Sequence, residues 1–165
     1  MAITLFHPSA IIKGEIHLTA SKSESNRALI IQALCADAFG IDNLSISNDT
    51  IVLQELLNKS LQDLVVRADN ENVENSDEVS DNNLRTLSVN LAGTAMRFLT
   101  AYFAIQNKEV VLTGAQRMKE RPIKVLVDVL KEMGAEISYE ENEGYPPLKI
   151  KGKKLFGEKV TIDGG

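Results

Sequence analysis

Short stretches of strand-like alternation recur along this chain, separated by stretches whose apolar residues fall at helical spacing. That order leaves few folds open. Residues 11–19 alternate after Gly14 and predict a strand. Ser21, with Glu24 three residues on, has the spacing of a capping box. Ala28, Leu29, Ile30, Ile31, Leu34, Cys35, Ala38 and Phe39 then form an apolar face before Gly40, predicting a helix over about 24–39. Residues 43–47 read as a short strand. Asn48-Asp49-Thr50 then caps a second helix to about Asn58, with Ile51, Leu53, Leu56 and Leu57 as its apolar set.

The second half repeats the pattern. Residues 84–90 alternate as a strand, Gly93-Thr94 opens a helix through about Ile105, and residues 109–114 are a strand ended by glycine. Pro122 suits the first turn of a helix that stops at Gly134. Residues 135–139 and 147–150 predict neighbouring strands, and 160–162 one more. The recurrence of strand, helix, strand, helix, strand, strand predicts an α/β (α+β) protein with an internal repeat, resting on element order alone. No hydrophilic linker divides two complete cores. The chain stops at Asp163-Gly164-Gly165, immediately after a predicted strand, which predicts a piece of a longer protein.

Composition narrows the function classes. The 165 residues are 44% hydrophobic and 25% charged, values of an ordinary globular domain. No apolar run approaches the roughly 20 residues of a membrane span. The segment Met1 to Pro8 lacks the charged and apolar regions of a signal peptide. The single Cys35 has no internal disulfide partner and lies in an apolar helical pattern, so it predicts a core residue in a reducing cytoplasm. Two His and one Cys offer no zinc-ligand spacing, so no metal is predicted.

The net charge of −5 is unevenly spread. Asp69, Glu71, Glu74, Asp77, Glu78 and Asp81 place six acids in thirteen residues, and without them 17 acids face 18 Lys and Arg. The stretch 69–83 reads as a solvated acidic loop, with a partner-binding role as the alternative. Without a basic stripe and interleaved aromatics, nucleic-acid binding is disfavoured.

Three segments bring basic and small polar residues to predicted helix starts. They are Ser21-Lys22-Ser23-Glu24-Ser25-Asn26-Arg27, Ala92-Gly93-Thr94-Ala95-Met96-Arg97 and Arg117-Met118-Lys119-Glu120-Arg121-Pro122. A helix N-terminus carries free N–H groups and the positive end of the dipole, so it attracts anions. Ser23 and Arg27, four apart, share a helix face and could grip one carboxylate or phosphate, while Lys22 suits a second. Gly93 lets a ligand approach the backbone, Thr94 can cap, and Arg97 lies one turn on. Bases before a helix start oppose the dipole, and bound anions explain that placement better than folding does. The bland alternative keeps Ser21 or Ser23 as simple caps and Arg27 and Arg97 as solvated surface. Asp49, the one acid in a motif-like turn, reads equally as a cap.

Neither a P-loop nor a dinucleotide fingerprint is present, and no Cys/His or Ser/His pairing suggests covalent catalysis. The residues offer anion binding without an obvious general acid or base.

The three segments, taken with Leu112-Thr113-Gly114, Leu126-Val127-Asp128 and Gly144-Tyr145-Pro146-Pro147-Leu148, closely resemble the 5-enolpyruvylshikimate-3-phosphate synthase family, the 3-phosphoshikimate 1-carboxyvinyltransferases. Their order and spacing hold along nearly the whole chain except the acidic loop. The resemblance implies repeated β-α-β-α-β-β units of the inside-out α/β barrel type. Residues 1–165 would then be most of the N-terminal domain of a two-domain enzyme, about two repeat units, with the C-terminal domain absent and the first residues belonging to the other domain.

It also implies a reaction without cofactor. The 5-hydroxyl of shikimate 3-phosphate adds to phosphoenolpyruvate, and phosphate leaves from a tetrahedral intermediate on the way to chorismate and the aromatic amino acids. Carried over by position, Lys22 is catalytic and contacts both substrates. Ser23, Arg27 and Thr94 join it on shikimate 3-phosphate, Gly93 and Arg121 on phosphoenolpyruvate, and Arg97 and Asp49 support the site. The chain departs from the family where Leu91 replaces the usual Asn and Phe98 the usual Pro, both beside the phosphoenolpyruvate residues. The family's remaining catalytic acids and phosphate-binding bases lie beyond Gly165. The implied enzyme is monomeric, with no membrane or nucleic-acid partner, and this stretch alone is expected to bind but not to turn over and to self-associate through an uncovered edge or face. The alternatives are a UDP-N-acetylglucosamine enolpyruvyl transferase and a noncatalytic anion-binding module.

Overall fold

The computed structural model describes residues 13–35, 37, 39–68, 84–157 and 160. The acidic stretch 69–83, Ala38, the first two residues of the predicted strand 11–19, and 161–162 of the last one lie outside them.

One complete β-α-β-α-β-β unit occupies residues 85–151. Strand β1 (Arg85–Ser88) leads into helix α3 (Gly93–Ala104), and β2 (Glu109–Thr113) returns parallel to β1 with Leu87 opposite Leu112. Helices α4 (Gln116–Lys119) and α5 (Lys124–Glu132) follow, then the antiparallel pair β3 (Glu136–Tyr139) and β4 (Leu148–Lys151). Strand β4 inserts antiparallel beside β2, giving the sheet order β1-β2-β4-β3. Alternation explains the burial: Leu87, Val110, Leu112, Ile137, Leu148 and Ile150 are buried on one face. Helices α3 and α5 cover that face with Met96, Leu99, Phe103, Val127 and Leu130. Gly134, in a left-handed conformation at φ 96°, ends α5 while Ala135 N–H donates to Leu130 O, as the glycine there predicted.

Helices α1 (Lys22–Leu34) and α2 (Asn48–Ala68) pack on each other and on α3. Ser21 caps α1 by accepting from Glu24 N–H at 3.4 Å. This helix ends five residues before the predicted Phe39, because the chain turns extended at Cys35 and the Gln32 side chain donates to Phe39 O. Cys35 is consequently exposed, not in the core, and among the described residues of the predicted face only Leu29 is fully buried. Helix α2 runs ten residues past the predicted Asn58. The polar Asn58-Lys59-Ser60 interrupts its apolar set, but these residues tolerate helix and Leu61, Leu64 and Val65 resume the pattern.

Two predicted strands are absent among the described residues. Residues 13–19 have no strand partner, and Ile16 and Leu18 are exposed. Over 43–47 side chains take the backbone instead. Asn43 is left-handed at φ 56°, Ser45 N–H donates to Ser25 Oγ at 2.9 Å, and Ser47 N–H donates to Ser45 Oγ at 3.2 Å.

Ion pairs decorate the solvated side of the second unit. Lys149 Nζ reaches Glu109 at 3.0 Å, Lys153 reaches Glu136 at 2.8 Å, and Lys124 reaches Glu143 at 3.0 Å and Asp128 at 3.3 Å. The hydrogen bond from Lys153, then its charge, holds Glu136 below the usual glutamate range. The hydrogen bonds that Lys124 donates to Glu143 and Asp128 raise its pKa, and the one from Lys149 to Glu109 raises that of Lys149. The Glu136 contribution is therefore present above the ordinary glutamate value and lost as pH falls through the lowered one. The two lysine contributions are present below the ordinary lysine value and lost as pH rises through the raised ones. These pairs are exposed, so the effects are small. Lys153→Met is expected to flatten part of the acid limb of a plot of urea midpoint against pH. Parallel plots for the two proteins would contradict the assignment.

Candidate functional site

The first turns of α1, α2 and α3 and the loop between α4 and α5 enclose a cleft of about 480 Å³. It is lined by Lys22, Asp49, Leu91, Gly93, Thr94, Arg97, Phe98 and Arg121. Two clefts of similar volume, about 430 and 440 Å³, lie beside β3. Those are lined by lysines and glutamates that largely pair with one another. This one differs in charge, with three cations against a single carboxylate.

Each cation is held differently. Lys22, in the first turn of α1, faces Asp49 in the first turn of α2 at 3.6 Å, and the lysine is half exposed. Arg97, one turn into α3, donates to Gly93 O at 3.4 Å and to Pro122 O at 3.2 Å. It straps the start of α3 to the loop that carries Arg121. The Arg121 guanidinium is exposed and, among the described residues, has neither a carboxylate nor a hydrogen-bond acceptor. An uncompensated guanidinium beside the N-terminus of a twelve-residue helix is suited to an oxyanion such as a carboxylate or a phosphate.

Gly93 is what lets Arg121 lie so close. A Cβ on Gly93 would sit 2.7 Å from Arg121 Nη1, the far end of a flexible side chain. Gly93→Ala is therefore expected to leave the urea midpoint nearly unchanged while turning Arg121 aside and weakening anion binding in the cleft about tenfold. Unchanged affinity would show that Arg121 does not need its present position.

Six sequence-predicted residues thus meet in one cleft: Lys22, Asp49, Gly93, Thr94, Arg97 and Arg121. Ser23 and Arg27 do not line it. Arg27 Nη1 folds back on its own helix, donating to Ser23 O at 3.1 Å and to Ser23 Oγ. Leu91 and Phe98, the two departures from the family pattern, both line the cleft. Thr94 is not a cap, because α3 already begins at Gly93 and makes no side-chain capping bond.

The third basic segment is not a helix start. Helix α4 begins at Gln116, ahead of the bases, and α5 begins after Ile123, with Pro122 outside its first turn. A following proline disfavours the helical region for Arg121, and Arg97 donates to the Pro122 carbonyl. Only Arg121 of the three bases reaches the cleft, since Lys119 pairs with Glu141 at 2.5 Å. Sequence reasoning missed the buried polar contacts under the site, where Asn26 and Thr50 meet. The one signal for them was an amide side chain inside an otherwise apolar helical pattern.

No helix among the described residues is long and apolar enough to cross a membrane, and no group of three metal-ligating side chains occurs among them.

Comparison with known proteins gives a consistent answer. The family model described as EPSP synthase (3-phosphoshikimate 1-carboxyvinyltransferase) matches residues 6–164. A 3-phosphoshikimate 1-carboxyvinyltransferase of Bacteroides fragilis is 42% identical over 99% of this chain and 34% of its own length. Its counterpart in Colwellia psychrerythraea is 45% identical over 96% of this chain and 38% of its own. The chain thus spans little more than a third of these relatives. Among solved structures, an EPSP synthase of Acinetobacter baumannii is similar with a TM-score of 0.66 at 21% identity, covering 88% of this chain and 33% of that one. That likeness shows the shared fold. On the family match and the curated identities together, this chain belongs to the EPSP synthase family.

Proposed function

We propose that the protein acts in enolpyruvyl transfer, joining the enolpyruvyl group of phosphoenolpyruvate to the 5-hydroxyl of shikimate 3-phosphate. The oxygen of that hydroxyl loses its proton as it adds to the enol carbon of phosphoenolpyruvate, and the methylene carbon gains a proton to give a tetrahedral intermediate. The C–O bond to phosphate then breaks, inorganic phosphate leaves with the bonding electrons, and the methyl carbon gives up a proton to re-form the C=C bond. The observation that carries this reading is the cleft with three cations and one carboxylate at the starts of α1 and α3, on a chain of this family. The two substrates together bring two carboxylates and two phosphates, which such a cleft complements.

In this reading Lys22 contacts both substrates and is the catalytic residue of this stretch. Gly93 and Arg121 bind phosphoenolpyruvate, the one by backbone approach and the other by its unpaired guanidinium. Thr94 takes shikimate 3-phosphate with Lys22. Ser23 and Arg27 join only if Arg27 releases Ser23. Asp49 restrains Lys22, and Arg97 braces the loop of Arg121. Residues 1–165 supply most of one domain of a two-domain, cytoplasmic, monomeric enzyme that needs no cofactor. By itself this stretch binds shikimate 3-phosphate without turning it over.

An amide NMR titration tests the reading, with shikimate 3-phosphate against inorganic phosphate and UDP-N-acetylglucosamine. Saturable shifts at Lys22, Gly93 and Thr94 with the first ligand alone are expected. Equal shifts with inorganic phosphate would reduce the cleft to a general anion site. Shifts with UDP-N-acetylglucosamine alone would assign the other enolpyruvyl transfer.

A further inference from the structure

The Lys22–Asp49 pair stands on two helix starts that no regular backbone ladder joins, so something else must set its span. Beneath it lies a chain of side-chain hydrogen bonds. Asn26, fully buried one turn after Lys22, accepts from Thr50 Oγ1 at 2.8 Å, and Thr50, also buried, follows Asp49 directly. Thr50 Oγ1 lies 2.9 Å from Ser47 Oγ, and Ser25 Oγ accepts from Ser45 N–H at 2.9 Å. The link has a cost, since Asn26 Nδ2 is buried without an acceptor among the described residues. A contact serving stability alone would be better met there by two apolar side chains.

We propose that Asn26 and Thr50 are positioning residues, whose buried hydrogen bond fixes the start of α2 against that of α1 and so places Asp49 opposite Lys22. The helical geometry supports it. Lys22 and Asn26 are four apart and share a face of α1, so the bond sits one turn below Lys22 on α1 and directly after Asp49 in the first turn of α2. The inference rests on the proposed function only for its consequence, the affinity of Lys22 for an anionic substrate. Its structural content stands without a ligand.

The test uses Thr50→Val, Thr50→Ser, the double variant Asn26→Leu with Thr50→Val, and Asp49→Asn as the reference for an unpaired lysine. Lysines are methylated with ¹³C-formaldehyde, and the Lys22 resonance is assigned by its loss in Lys22→Arg. Without ligand, Thr50→Val and the double variant are expected to move that resonance toward its place in Asp49→Asn, while Thr50→Ser, which keeps the hydroxyl, leaves it. The double variant is expected to hold its thermal midpoint within about 4 °C, because both polar partners go together. Its affinity for shikimate 3-phosphate falls about tenfold, the effect of one buried hydrogen bond expressed at the site.

A Lys22 resonance unmoved in Thr50→Val and the double variant overturns the proposal, whatever the ligand does. Equal displacement by Thr50→Ser and Thr50→Val also overturns it, since the methyl group would then be what matters. Should the double variant unfold, the two single variants decide. If the unaltered chain binds no shikimate 3-phosphate, the functional reading falls and the resonance alone judges the positioning claim.

Discussion

Gly152→Ala is expected to lower the stability of the chain by at least about 3 kcal/mol, or to prevent folding altogether. A Cβ at Gly152 would lie 1.6 Å from Gln106 O and 2.3 Å from Phe103 O. Both are backbone atoms at the end of α3, so no side-chain rotation relieves the overlap. The same junction is knitted by backbone bonds on both sides. Gly152 N–H donates to Lys108 O at 2.8 Å, and Lys153 N–H donates to Ala104 O at 3.0 Å. Moving β4 away from α3 would therefore break these bonds and open the packing of Leu148 and Ile150 against the helix. Urea unfolding monitored by circular dichroism measures the effect. Gly157→Ala is the control, since nothing lies within 4 Å of its Cβ position, and it should change stability by less than about 0.5 kcal/mol. Equal midpoints for the two variants would mean that the β4–α3 junction yields more readily than its geometry allows.

The second large effect concerns binding. Arg121→Ala removes the cleft's uncompensated guanidinium, and the affinity for phosphoenolpyruvate should fall by roughly 10- to 150-fold, the loss of one or two charge-assisted hydrogen bonds. Lys22→Ala should cost more than that for shikimate 3-phosphate. It deletes a cation and also leaves the Asp49 carboxylate, only 22% exposed, without its partner beside an incoming anion. Adding Asp49→Asn to Lys22→Ala should recover part of the loss by removing that repulsion. The affinities are read by calorimetry or NMR titration at two ionic strengths, because half-exposed charges are screened by salt. A double variant that binds no better than Lys22→Ala would show that Asp49 acts only as an acidic residue of the first turn of α2.

Sequence and tertiary structure divided the outcome along a physical line. Capping, turns and periodicity are local, so α3, β2, the end of α5 at Gly134 and the β3–β4 pair were all legible in the residues themselves. So were the chemical types at the site: Lys22, Asp49, Gly93, Thr94, Arg97 and Arg121 were each named from segments that put small or charged residues near helix starts. What the residues could not decide was anything that needs a partner distant in the chain. A strand exists only when another strand satisfies its backbone, so among the described residues the alternating stretches 13–19 and 43–47 carry the pattern without the element. Cys35 is exposed because the helix stops at Leu34, where the chain turns extended and Gln32 reaches forward to the Phe39 carbonyl. Ser23 and Arg27 had the right spacing for an anion but bind each other, whereas Arg121, twenty-four residues after Arg97, is held beside Gly93 through the Pro122 carbonyl. Residue type and local geometry were written in the sequence. Convergence was decided by packing, which alone brings the starts of three helices and one loop around a common space.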